Sequence, residues 1–182
     1  MTQNILDDFI ARARTAAAAA HPRDALRELL TDSINQSTQM SDAIAAMPED
    51  EVMLFEDETC SIWTCRYGED VVFPPHEHCM PVHIAVYHGA EVEVLYKREP
   101  QGLRHGGNHI VSAGQVTSLG TDAVHAITGD GDGQSHAIHI YEGPLTQVER
   151  ALFDWETGKE VAFTMENFRT MQRNKSDMAE FK

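Results

Sequence analysis

Histidine is where the chemistry of this sequence concentrates. The run Phe73-Pro74-Pro75-His76-Glu77-His78 sets two imidazoles two residues apart. On a β-strand, residues i and i+2 share a face, so both rings can present a nitrogen to one point while Glu77 points away. Imidazole suits borderline transition metals, and a metal site needs at least a third donor. The run Asp122-Ala123-Val124-His125-Ala126-Ile127 supplies a histidine inside an otherwise apolar β-type stretch. Alone, such a histidine is a hydrogen-bonded core residue; beside an HxH pair it reads as the third ligand. Three neutral imidazoles leave a metal with its full divalent charge, which favours an anionic co-ligand such as a thiolate or an enolate. They also favour Fe(II), Ni(II), Cu(II) or Zn(II) over hard, oxygen-seeking ions. With Fe(II), an electron-rich substrate and dioxygen could meet at the metal; with Zn(II), bound water would be acidified for hydrolysis or isomerisation. The ligands alone do not choose the metal.

The elements that must position these residues fall into two textures. From Asn4 to Ala20, the apolar residues Ile5, Leu6, Phe9, Ile10 and Ala13 recur at helical spacing. Pro22 is placed to open a second helix carrying Leu26, Leu29, Leu30, Ile34, Met40 and Ile44. Residues 1–47 therefore read as a helical hairpin that packs on the rest of the chain, because helices of this length need a partner for their apolar faces. After Pro48 the chain turns to short β-type runs broken by Gly, Pro, Asp and Asn: 52–55, 60–65, 82–87, 91–96, 109–111, 115–119, 123–127 and 136–141. Val92 and Val94 interleave with Glu91 and Glu93, as Ile138 and Ile140 do with His139 and Tyr141. With no β-then-long-helix rhythm, the class is mainly β, an antiparallel sandwich or barrel over residues 48–182. Residues 163–182 read as a wrapping tail or short helix.

The chain has 182 residues, one domain's worth, and its 29 acids against 14 bases give a net charge of −15. That charge argues against nucleic acid or an anionic membrane as partner. Nine of the acids lie between Asp42 and Asp70 with only Arg66 as a base, a solvated face or rim that would bias a nearby site toward neutral or cationic ligands. No run is apolar enough to span a bilayer and no signal-peptide layout is present, so the expected location is cytoplasmic. Three cysteines without metal-ribbon or CxxC spacing fit a reducing compartment.

Pro-Pro-His76-Glu-His78, a turn glycine at Gly89, Asp-Ala-Val-His125 and then Ala-Ile-His139-Ile-Tyr141 together resemble the cupin superfamily. Within it, the chain resembles bacterial relatives of cysteine dioxygenase and 3-mercaptopropionate dioxygenase, from about Val52 to Trp155. The resemblance implies a double-stranded β-helix, a jelly-roll barrel with the helices outside it. It further implies Fe(II) held by His76, His78 and His125, a small thiol and O2 as substrates, and Tyr141 assisting catalysis with His139 setting its orientation. Cupins of this shape often dimerise through exposed sheet edges, which makes a homodimer an expectation.

The departures from the family pattern bear on its transfer. Many cupins carry a glutamate ligand four or five residues after the second histidine, where this chain has Val82 and His83. Parity turns His83 away from the ligands unless Pro81 marks a bulge; it is either a fourth ligand or a hydrogen-bonded histidine. Cys79 should face away from the metal as a small buried hydrophobe rather than crosslink to Tyr141. Ala137 stands where the family's relay has a serine, and the stretch 49–59 contains no arginine to clamp a carboxylate. Arg66 is a substitute or a surface ion-pair partner. His88, His105 and His109 read as surface residues, the first two in turns. Lost relay and clamp residues support an alternative, a non-catalytic cupin that binds a metal or small molecule.

Overall fold

A computed structural model of the chain describes residues 2–131 and 133–181. Three helices come first, α1 (Thr2–Ala17), α2 (Pro22–Ser33) and α3 (Ser37–Ala45), where the sequence pattern predicts two. The expected second helix breaks at a 3-10 turn over Ile34–Gln36. The Oγ atoms of Ser33 and Ser37 there donate to the carbonyls of Leu30 and Ile34, competing with the helical ladder.

Twelve strands follow: β1 (Glu51–Glu56), β2 (Ser61–Cys65), β3 (Val71–Glu77), β4 (Val82–His88), β5 (Ala90–Glu99), β6 (Gly102–Ser112), β7 (Val116–Leu119), β8 (Val124–Asp130), β9 (His136–Tyr141), β10 (Ala151–Phe153), β11 (Glu160–Ala162) and β12 (Arg173–Asn174). A short helix, α4 (Met165–Thr170), lies between the last two. One sheet runs β1-β2-β9-β4-β7; the other runs β11-β10-β3-β8-β5-β6, with β12 also on β3. The sheet pairings are antiparallel. Two facing antiparallel sheets whose strands cross between them in this order make a cupin-type double-stranded β-helix.

The helices cover the outer face of the first sheet. Leu6, Phe9, Leu26, Leu30, Met40 and Ile44 pack there against Ile62, Ala85, Tyr87, Ile138 and Ile140 in one buried cluster. Inside the barrel, Val82, Ile84 and Val86 from alternate positions of β4 join Ala137 and Tyr141. The same one-residue alternation thus serves two cores.

Several sequence expectations change. β6 is an eleven-residue strand, so His105 lies in a strand and not in a turn; a register shift between Leu95 and Tyr96 accommodates it. The tail does wrap: α4 seats Phe168 in the protein, and β12 pairs with β3. On β5, Glu91 and Glu93 are fully buried along with Val92 and Val94, so the polar positions point inward. No helix among the described residues is long and apolar enough to cross a membrane.

Candidate metal centre

The triad is built on the second sheet, where β3 and β8 pair His76 with His125. Pro74 and Pro75 cannot donate to a ladder, and the β3–β8 register shifts between Phe73 and His76. That bulge turns the Pro74 carbonyl toward the His76 ring, whose Nδ1 lies 2.9 Å from it. Nδ1–H therefore donates to the carbonyl and Nε2 keeps its lone pair. His78 follows just past the end of β3, and its Nε2 is 3.3 Å from Nε2 of His125. One ring nitrogen from each of His76, His78 and His125 lies within 4.8 Å of the others, and all three residues are buried.

Burial pushes the pKa of each of these histidines well down, and for His76 and His78 the neighbouring His125 adds to the effect. All three are neutral at physiological pH. His125 has its Nδ1 in a short hydrogen bond with Glu93, so its Nε2 is also a bare acceptor. Three ring nitrogens converging in a dry interior are an arrangement that a cation can bridge, and three neutral imidazoles are a fitting donor set for a borderline divalent metal. The triad could hold a metal ion.

Across the barrel, β9 of the first sheet brings His139 and Tyr141 to the same cavity. The Tyr141 ring is 4.8 Å from that of His78, centroid to centroid. Burial raises the Tyr141 pKa, so its hydroxyl stays protonated and can donate. His139 Nε2 is 3.0 Å from Glu91, which also accepts from Ser135 Oγ at 3.2 Å. Burial alone would keep His139 neutral; the Cys65 thiol and Glu91 outweigh it and hold the ring's pKa well up. His139 and Tyr141 ring centroids are 6.4 Å apart, and the described hydrogen bonds tie His139 to Glu91 rather than to the tyrosine.

The cavity measures about 510 Å³ and is walled by Trp63, Tyr67, Phe73, Phe163 and Phe168 among others. Tyr67 donates to Glu51 at 2.8 Å, and burial raises the Glu51 pKa. Tyr67 sits where it does because its backbone runs against Gly129: a Cβ there would lie 2.1 Å from the Tyr67 carbonyl. From the acidic 42–70 segment, Glu49, Asp50 and Glu51 reach the cavity wall.

Sequence reasoning missed the cations. Arg150 and Arg169 line the same cavity, although the region that precedes β3 supplies none. The Arg150 guanidinium stacks 3.4 Å from the Phe163 ring centroid, and burial lowers its pKa. Among the described residues its side chain has no hydrogen bond and no carboxylate within 4.0 Å. Its sequence position, in the turn region before β10, carries no signal of this; only the topology brings it to the histidines.

The other sequence candidates lie elsewhere. His83 is on the outer face, hydrogen-bonded to Ser118 at 2.7 Å and Glu142 at 2.8 Å, so it is not a fourth ligand. Cys79 is exposed at a positive φ of 58°, a correction to its expected burial. His88, His105 and His109 are exposed. Arg66 pairs with Asp50 at 3.0 Å.

No protein-family model matches the chain, and no curated protein does. Solved structures do. A protein of unknown function with a cupin-like fold from Ralstonia eutropha is 19% identical, with a TM-score of 0.44 and 62% of each chain covered. The dimethylsulfoniopropionate (DMSP) lyase DddQ from Ruegeria pomeroyi is 16% identical, with a TM-score of 0.42 over 55% of this chain and 46% of that one. A variant of the oxalate decarboxylase of Bacillus subtilis is 14% identical, with a TM-score of 0.41 over 52% of this chain and 24% of that one. At such identities and TM-scores these likenesses assign no role to this chain.

Proposed function

We propose that the chain is an Fe(II)-dependent dioxygenase that converts a small thiol carrying an anionic head into the sulfinic acid, RSH + O2 → RSO2H. The observation that carries this reading is the unpaired Arg150 guanidinium in the wall of the cavity that also holds the three histidines. Iron bound by His76, His78 and His125 would supply the site at which thiolate sulfur and dioxygen meet.

The chain's own residues do the rest. Arg150, half-buried and stacked on Phe163, receives the carboxylate of the substrate in a charge-assisted pair and so fixes its far end. The tyrosine hydroxyl, kept protonated by burial, donates a hydrogen bond where negative charge develops on oxygen. Phe163, Phe168 and Trp63 limit water, which strengthens both contacts. Glu91 holds His139 charged beside them. The acidic rim alone would favour cysteamine-like amines; the guanidinium favours mercaptopropionate-like acids instead.

Oxygen uptake by iron-loaded protein with 3-mercaptopropionate, cysteine and cysteamine tests the reading, the first being the expected best substrate. Tyr141→Phe should cut turnover about 10²-fold with metal content intact. Arg150→Gln should lower kcat/KM for the acid roughly 10–100-fold and leave cysteamine little changed. No uptake with any thiol would leave a metal-binding module without this activity.

A further inference from the structure

We propose that Glu93 is a positioning residue of the metal centre, acting through His125 and supplying negative charge against the cation. This rests on the metal reading of the histidine triad and not on the thiol reading.

Glu93 is fully buried on β5, beside β8, where Leu95 is the register partner of His125 and Glu93 that of Ile127. One carboxylate oxygen takes the Nδ1–H of His125, and the other, Oε1, is buried with no partner. Among the described residues no lysine or arginine pairs with it. Glu91, two residues away on the same strand, is a useful contrast: its oxygens accept from Ser135 Oγ and pair with charged His139. Both glutamates are equally buried, yet among the described residues only Glu91 has a hydrogen-bond partner at each oxygen.

A buried carboxylate without a cation is costly. If holding the imidazole ring were all that Glu93 did, a neutral acceptor would serve at less cost. The charge that would answer it lies on the far side of the ring, where ring nitrogens of His76, His78 and His125 converge and Nε2 of His125 is 3.3 Å from Nε2 of His78. A carboxylate on Nδ1 fixes the tautomer and orientation of a ligating histidine and makes Nε2 a stronger donor. It also reduces the net charge of the assembled centre from that of a bare divalent ion on three neutral rings by one.

The test uses the full chain, stripped of metal and titrated with Zn(II) against a competing chelator. Glu93→Gln keeps an acceptor for Nδ1–H and removes the charge; Glu93→Ala removes both. Zn(II) affinity should fall about tenfold in the first and up to about 100-fold in the second, while metal-free Glu93→Gln melts no lower than wild type. Affinity within twofold of wild type in both variants overturns the proposal. Parallel loss of metal-free stability and affinity also overturns it, because it marks Glu93 as an ordinary core hydrogen-bonder. Should the variants fail to fold, NMR of the Zn(II)-loaded wild type decides: a downfield, slowly exchanging Nδ1 proton on His125 is expected, and its absence rejects the assignment. Wild type that takes no Zn(II) rejects the metal reading with it, whereas failure of thiol oxidation leaves this test untouched.

Discussion

The two faces of the β1-β2-β9-β4-β7 sheet are built from alternate residues of the same strands, yet they differ in what they leave unfinished. On the outer face, Ile138 and Ile140 lie under the helices, and two polar clusters are matched there: Ser33 with Tyr87 at 2.7 Å, and His83 with both Ser118 and Glu142. The inner face, with the second sheet opposite, borders polar atoms that have no partner among the described residues, Nδ1 of His78 and Oε1 of Glu93 with them, beside Arg150, whose guanidinium is likewise unpaired among those residues. Buried polar groups are ordinarily paired, and the exceptions call for a role. Both faces bury an apolar cluster, but only the inner one borders the histidine triad and its unpartnered polar atoms.

Removing residues 1–46 attacks the outer face directly and should have the largest effect. It would bare Ile62, Ala85, Tyr87, Ile138 and Ile140, a contiguous apolar surface of the kind that drives association. Loss of soluble, monodisperse protein in size-exclusion chromatography is expected; a truncated chain as well behaved as the whole would erase the distinction between the faces. The inner face should respond in the opposite way. His78→Ala should take metal content from about one ion per chain to near none by elemental analysis, since two histidines remain. Metal-free melting should stay level or rise, because the residue removed has a buried nitrogen without a partner.

How much of this could be read in the sequence follows from the same alternation. HxH announces itself, because two histidines at strand spacing have few other uses, and the helical periodicity before Pro48 is plain. Parity likewise keeps His83 off the metal, in agreement with its outward bonds. Alternation does not say which set points in when both faces of a strand are buried, and that hid Glu91 and Glu93: on β5 the valines and the glutamates are alike enclosed. Arg150 was hidden for another reason. Its place in the cavity wall comes from the chain crossing back after β9, a long-range fact that no local pattern encodes. The prolines of β3 do something that the HxH spacing does not announce: they place a carbonyl against His76.

The smallest effect concerns pH and the outer face alone. Glu142 only accepts, so Nε2–H of His83 donates to it and Nδ1 accepts from Ser118, which is the neutral ring. Burial lowers the His83 pKa, with Glu142 opposing but not reversing the shift. In the unfolded chain the ring takes up a proton as pH falls below about 6.5; the folded ring does so only at lower pH. The sign follows: between those two values the unfolded state binds the extra proton, so this group's contribution to stability is lost as pH falls, by at most about 1.4 kcal/mol per pH unit. His83→Gln removes the titration. The stability gap between wild type and variant should therefore narrow as pH falls from 7 to 5.5 in urea denaturation, with metal content equal in both. A gap that stays constant over that range would mean that the folded ring titrates as the unfolded one does, and that the outer face is less completely matched than its hydrogen bonds imply.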